Sequence, residues 1–156
     1  MKDELDKALC EKYPKIFRDR YGNMKETLMC WGFEHGDGWY QILDSLCGQI
    51  QHYIDWSHKN YKWDLEWNEK NPYETREVRH PIPQVVAVQV KEKFGGLRFY
   101  YDGGDDHISG MVRMAESWAA NTCERCGKLG KIRSGGWIKT LCDEHEAERQ
   151  LLNVRV

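Results

Sequence analysis

The chain has 156 residues, 40% of them hydrophobic and 31% charged, with a formal net charge of −2. That length suits a single domain able to bury a core, and the near-neutral charge excludes a protein that coats polyanions over its whole surface. No apolar run approaches the roughly 18 residues that span a bilayer. The acidic start Met1-Lys2-Asp3-Glu4 lacks the apolar segment of a secretory signal. A cytoplasmic protein with reduced thiols is therefore expected, in which closely spaced cysteines read as metal ligands. Seven Trp and eight Tyr add the expectation of a recognition surface.

In chain order, residues 3–12 carry Leu5, Ala8 and Leu9 on one face and precede Pro14, which predicts a short helix. Residues 15–36 read as irregular chain or a further short helix. Trp39, Ile42, Leu43, Leu46, Cys47, Ile50, Tyr53 and Ile54 recur at helical spacing and predict a helix over about 38–58, with Asp37 available as its cap. Residues 56–83 mix Trp56, Tyr61, Trp63, Trp67 and Tyr73 with charges and reach Pro72, Pro81 and Pro83, so they read as a long, partly ordered loop. Composition leaves open whether those aromatics pack on the core or face a partner. Val85 to Lys91 and Leu97 to Tyr101 predict two strands, joined through Phe94-Gly95-Gly96 as a hairpin. The stretch Asp102 to Asp106 ends the second strand and caps a helix over about 106–120, with Ile108, Met111, Val112, Ala115, Trp118 and Ala119 on its apolar side.

The last third carries the strongest signal. Cys123 and Cys126 are separated by two residues, fifteen residues follow, and Cys142 and His145 are again separated by two. Two such pairs of sulfur and nitrogen donors match a tetrahedral structural zinc site. Gly127 supplies a tight turn after the first pair, and the second pair opens a helix over 142–152, where residues three apart share a face. Between them, 131–133 and 137–140 read as short strands joined through Ser134-Gly135-Gly136. This order resembles a treble-clef zinc finger, with His145 where many members have a fourth Cys. The resemblance implies one structural zinc ion with no open coordination position. The fold class expected is α+β: helices packed on a small antiparallel hairpin or sheet, with a C-terminal treble-clef-like finger. Residues 1–121 form the helix–hairpin–helix body, and residues 122–156 form a zinc unit packed on it in one compact domain.

Function is less plainly written. Between Thr122 and Leu141, five basic residues (Arg125, Lys128, Lys131, Arg133, Lys139) stand against the single acid Glu124. Basic side chains, the backbone amides of a Gly-Gly tip and the face of Trp137 suit a phosphorylated, base-containing ligand; a merely solvated hairpin is the plain alternative. Arg98 and Tyr100 share a strand face beside Gly95-Gly96 and either line a groove or meet solvent. Candidate ligand residues are thus Arg98, Tyr100, Lys131, Arg133 and Trp137. Cys30, His35, Asp37 and Cys47 compose a thiol site only on paper, Cys47 lying on an apolar helix face. Asp102, Asp105, Asp106 and His107 read as turn and cap before they read as a cation site. No phosphate-binding loop, dinucleotide fingerprint or nucleophile elbow is present.

The segments Gly36-Asp37-Gly38-Trp39-Tyr40, Lys93-Phe94-Gly95-Gly96-Leu97-Arg98 and Arg133-Ser134-Gly135-Gly136-Trp137 resemble small phage and prophage proteins. That resemblance implies an accessory or counter-defence protein in the cytoplasm of a bacterial host. The leading expectation is a non-enzymatic, zinc-stabilised binder of nucleic acid or a phosphorylated nucleotide. A protein–protein adaptor or inhibitor of a host protein, acting through the aromatic 56–67 segment, is the second, and an enzyme with an unrecognised site is the third. No membrane partner is expected, and the oligomeric state is left open.

Overall fold

The computed structural model describes residues 1–153. Helix α1 (Asp3–Lys12) buries Asp6, Leu9 and Cys10, and its acidic first turn suits the positive end of a helix. The chain after it is tied down: Ile16, Phe17 and Met29 are buried, and Arg20 grips Asp6 with two hydrogen bonds of 2.9 Å. It then supplies β1 (Phe33–Glu34). A two-residue strand shows no alternation, so patterning alone does not reveal it.

Helix α2 (Tyr40–Lys70) follows one 3₁₀ turn at Asp37–Trp39. The expected loop from residue 56 is therefore helical as far as Lys70. The cause is visible in the sequence: no Pro or Gly interrupts it between Gly48 and Asn71-Pro72, and Lys, Glu, Leu and Trp all tolerate a helix. The apolar period fades after Ile54 because the helix leaves the core, not because it ends. Asp37 is not its cap. The Asp37 carboxylate instead accepts the Lys2 N–H at 2.8 Å and pairs with the Lys2 ammonium at 3.4 Å.

The outer half of α2 is braced along one side by residues 72–83. Arg79 forks onto the buried Asp64 at 2.7 and 2.8 Å. Asn68 exchanges two hydrogen bonds with the Arg76 backbone, at 2.8 and 2.7 Å. The Arg76 guanidinium lies 3.7 Å from the Trp67 ring centre, and Tyr61 stacks on His80. Trp56, Trp63 and Tyr73 remain exposed. The question left open by composition thus has a divided answer, with Trp67 and Tyr61 under the strap and the other three facing out.

Strands β2 (Val86–Lys93) and β3 (Gly96–Asp102) form the expected hairpin, with a bulge between Ala87 and Gln89. The sheet order is β1-β2-β3, with β1 parallel to β2; α2 and its strap supply the crossover that a parallel pair requires. Leu97 and Phe99 point into the core while Tyr100 is exposed. Helix α3 (Asp106–Ala119) is capped as expected, the Asp105 carboxylate accepting the Ile108 N–H at 3.0 Å. It packs against α2 and β3 over a core that includes Trp39, Ile42, Leu43, Ile50, Val90, Leu97 and Ile108. Strands β4 (Lys131–Arg133) and β5 (Lys139–Leu141) pair antiparallel, and α4 (Asp143–Asn153) closes the described chain. The fold is mixed helix and strand, with four helices, sheets of three and two strands among the described residues and a ligand cluster at the C-terminal end. No described helix is long and apolar enough to cross a membrane.

Candidate metal centre

Four donors from two elements converge at the end of the chain. The first pair sits on a turn in which the Cys123 N–H donates to the Lys128 carbonyl at 2.8 Å and the Gly127 N–H to the Cys123 carbonyl at 2.9 Å. Gly127, at φ 77°, closes that turn. The second pair opens α4, where the Glu146 N–H bonds to the Cys142 carbonyl at 3.0 Å and one helical turn aligns Cys142 with His145. The four ligand atoms lie within 4.8 Å of one another, close enough to bind one metal ion.

Their spacing can be tested against a real ion. Bonds of about 2.3 Å to sulfur and about 2.0 Å to nitrogen, set tetrahedrally, separate the ligand atoms by about 3.5–3.8 Å. The Cys126 and Cys142 sulfurs are 3.8 Å apart, and His145 Nδ1 is 3.4 Å from Cys123 Sγ and 3.3 Å from Cys142 Sγ. The donors fit. Burial pushes the Cys123 thiol up, but the backbone amides of Cys142, Cys126 and Arg125, together with His145, outweigh it and bring the pKa down to about 6. A thiol so placed gives up its proton readily to a cation.

The cluster is seated on the body by residues that the ligand spacing does not single out. A Cβ on Gly38 would stand 2.1 Å from the Cys123 carbonyl oxygen, and one on Gly36 would stand 2.3 Å from that of Glu124. Only glycine lets the two backbones meet this closely. The Gly38 N–H donates to the Glu124 carbonyl at 2.8 Å, and the fully buried Trp39 donates its Nε1–H to the Thr122 carbonyl at 2.8 Å. From the other side the β2–β3 tip reaches β5: the Thr140 hydroxyl donates to the Gly95 carbonyl at 2.6 Å. Lys139 bridges Glu92 of the body and Glu124 of the knuckle, both at 2.9 Å. Glu92 is held below the usual carboxylate range although burial pushes it up, because the Gly95 N–H, Lys139 and Trp137 all face it. The signal available in the sequence was the Gly-Asp-Gly-Trp run ahead of a long helix, where a cap accounts for Asp37 but not for the two glycines.

His35, beside this seat, is buried against Phe33 and Trp39. Burial lowers its pKa to about 4, with the Gly36 carbonyl at 2.8 Å pulling the other way, so the ring is neutral near pH 7. Its Nε2 has no hydrogen-bond partner among the described residues.

The basic residues of the finger are not free charges. Arg133 binds Asp143 and the Leu141 carbonyl, Arg125 binds Glu148, Lys128 binds Glu144, and Lys131 lies 3.9 Å from Asp143. The acids of α4, lying past the window in which the excess was counted, balance it. Arg98, half-buried, donates to the neighbouring Leu97 carbonyl at 2.8 Å, and Tyr100 is exposed. Of the five candidate ligand residues, only Trp137 lines the cleft between the hairpin tip and the finger tip, with Glu92, Lys93, Phe94, Gly136 and Ile138. Two of the groups weighed for a thiol site or a cation site are otherwise engaged. Cys47 is fully buried, its thiol pushed well up by that burial, and Asp105 is occupied as a cap and by the Tyr53 hydroxyl at 2.9 Å. Comparison with protein-family models, curated proteins and solved structures gave no match.

Proposed function

We propose that the chain is a non-enzymatic, zinc-stabilised binding protein that takes a nucleic-acid base, free in a nucleotide or within a single strand, at the cleft between its two Gly-Gly tips. Three thiolates and one imidazole suit zinc better than harder cations, and the order knuckle, hairpin, helix is that of a treble-clef finger. Four protein ligands leave no position for a substrate water, so the ion supports the fold rather than a reaction.

Phe94 carries the ligand reading. It is 73% exposed and sits at φ 51°, in the left-handed region where a bulky aromatic is an outlier. With Gly95 at φ 79° it makes a two-residue hairpin turn that Asn-Gly would make without strain. Trp137, also 73% exposed, stands on the other wall of a cleft of about 360 Å³. Two exposed rings flanking a cleft are what stacking on a base requires. Lys93, its ammonium 5.8 Å from the Phe94 ring centre, and the loosely held Lys131 supply cations for a phosphate. The setting in this reading is that of a phage or prophage accessory protein in the bacterial cytoplasm, where sequestering a signalling nucleotide or covering a strand needs binding alone.

The test uses Phe94→Gly and Trp137→Ala with single-stranded oligonucleotides and nucleotides as probes, read by fluorescence anisotropy and calorimetry. Phe94→Gly is expected to keep or raise Tm while weakening binding by about 1–3 kcal/mol, the worth of one stacked base. Trp137→Ala is expected to weaken it comparably. Salt dependence should be shallow, because α4 has already neutralised most of the basic residues. Wild-type protein that binds neither probe, or binding unchanged in both variants, would overturn the reading.

A further inference from the structure

One face of α2 runs the length of the helix and, past Ile42, stays open to solvent. Ile42, Ser45, Gln49, His52, Trp56, Lys59, Trp63 and Glu66 follow one another at alternating spacings of three and four, the seam along which two helices pack. Helix α3 runs antiparallel beside the inner half, where Ser45, Gln49, His52 and Trp56 nonetheless remain exposed. Ala115 and Trp118 of its last turns line an open hollow with Ile42, Ser45, Leu46 and Gln49, and His107 of its first turn packs on Tyr53 with ring centres 4.7 Å apart. Helix α3 begins at Asp106, and its first turn shares a hollow with Trp56. The seam goes on past that point to Lys70, roughly 20 Å further at 1.5 Å per residue. The strap of residues 72–83 lies along another side and leaves Lys59, Lys62, Trp63 and Glu66 around an open hollow.

The charges on this uncovered stretch are ordered. Lys59 and Lys62 precede Trp63, and Glu66 and Glu69 follow it. Among the described residues none of these four forms an ion pair within the chain. A segment positive in its first half and negative in its second is complementary to itself when reversed. Pairing two copies antiparallel about Trp63 sets Lys59 of each against Glu66 of the other, brings the two Trp63 rings together and lays Lys70 past Trp56. A parallel arrangement would set Lys59 against Lys59 and Glu66 against Glu66. We propose that the exposed outer stretch of this face of α2 takes a second copy of this chain, antiparallel about Trp63. The surface is independent of the tip cleft, which lies on the hairpin and the finger.

Sedimentation velocity on the full chain with its metal, from a few micromolar to several hundred, tests this through charge reversals. Wild type is expected to pass from 18.5 kDa to twice that mass with rising concentration, and less readily at high salt. K59E alone sets Glu against Glu and E66K alone sets Lys against Lys, so each is expected to stay monomeric where wild type is dimeric. An equimolar mixture of the two restores both pairs and is expected to recover the dimer. Both sites are exposed, and unchanged helical circular dichroism verifies that the variants fold. Wild type that stays monomeric at several hundred micromolar, a dimer indifferent to either reversal, or two monomeric variants that fail to combine would each overturn the proposal. So would co-sedimenting material absorbing at 260 nm that both wild type and E66K carry and K59E loses, which would assign the face to nucleic acid.

Discussion

The Lys139 ammonium stands between two carboxylates, Glu92 and Glu124, whose side chains are only 8% and 7% exposed. Burial lowers its pKa, but the two acids outweigh that and raise it, so the charge is retained. Removing one member of such a cluster leaves like charges buried and unpaired, a situation that costs about 3 kcal/mol. Lys139→Met is therefore expected to lose about that much stability in urea denaturation, and Glu92→Gln in the same chain to restore part of it. The four metal donors were legible in the sequence because ligand spacing is a local property. The Lys139 bridge was not, since its partners lie 47 and 15 residues away and a basic residue in a hairpin reads first as a solvated one. The same holds for Arg133, which reads as a free cation until the carboxylate at the head of α4 is placed beside it.

At the scale of elements, the strongly periodic ones were readable: α1, the inner half of α2, the β2–β3 hairpin, α3 and the knuckle–hairpin–helix order of the finger. The outer half of α2 was not. Its residues face solvent on one side and a polar strap on the other, so it carries no apolar period to find. Asp64 shows how that half is held. The Arg79 guanidinium holds the Asp64 carboxyl down at about 2 although burial pushes it up, so in the folded state it ionises far below the ordinary carboxylate value of 3.8. The stability from this pair is complete above pH 4 and is lost as pH falls from about 4 toward 2. Thermal melts of wild type and Asp64→Asn are expected to differ most at pH 5 and by clearly less at pH 3, the gap closing toward pH 2. A constant difference across that range would show that Arg79 does not hold the strap through the ionised carboxylate.

At the scale of the whole molecule, the metal cluster is part of the body and not an appendage. Gly36, Gly38 and Trp39 meet the knuckle at the head of α2, and the β2–β3 tip meets β5, so two separate parts of the body converge on the ligand-bearing segments. That coupling was invisible in the spacing of the ligands, yet it gives a role to two of the three glycine-bearing segments that stand out in the sequence. Metal binding and folding of the body should then be one process. Native mass spectrometry of the intact chain, with circular dichroism in the tryptophan region before and after chelation, tests this most directly. Expected is one zinc ion per 18.5 kDa chain, absent in Cys142→Ser, with the aromatic signal of the buried Trp39 lost when zinc is removed. A chain that carries no metal after purification with zinc supplied, yet keeps that aromatic signal, would contradict it.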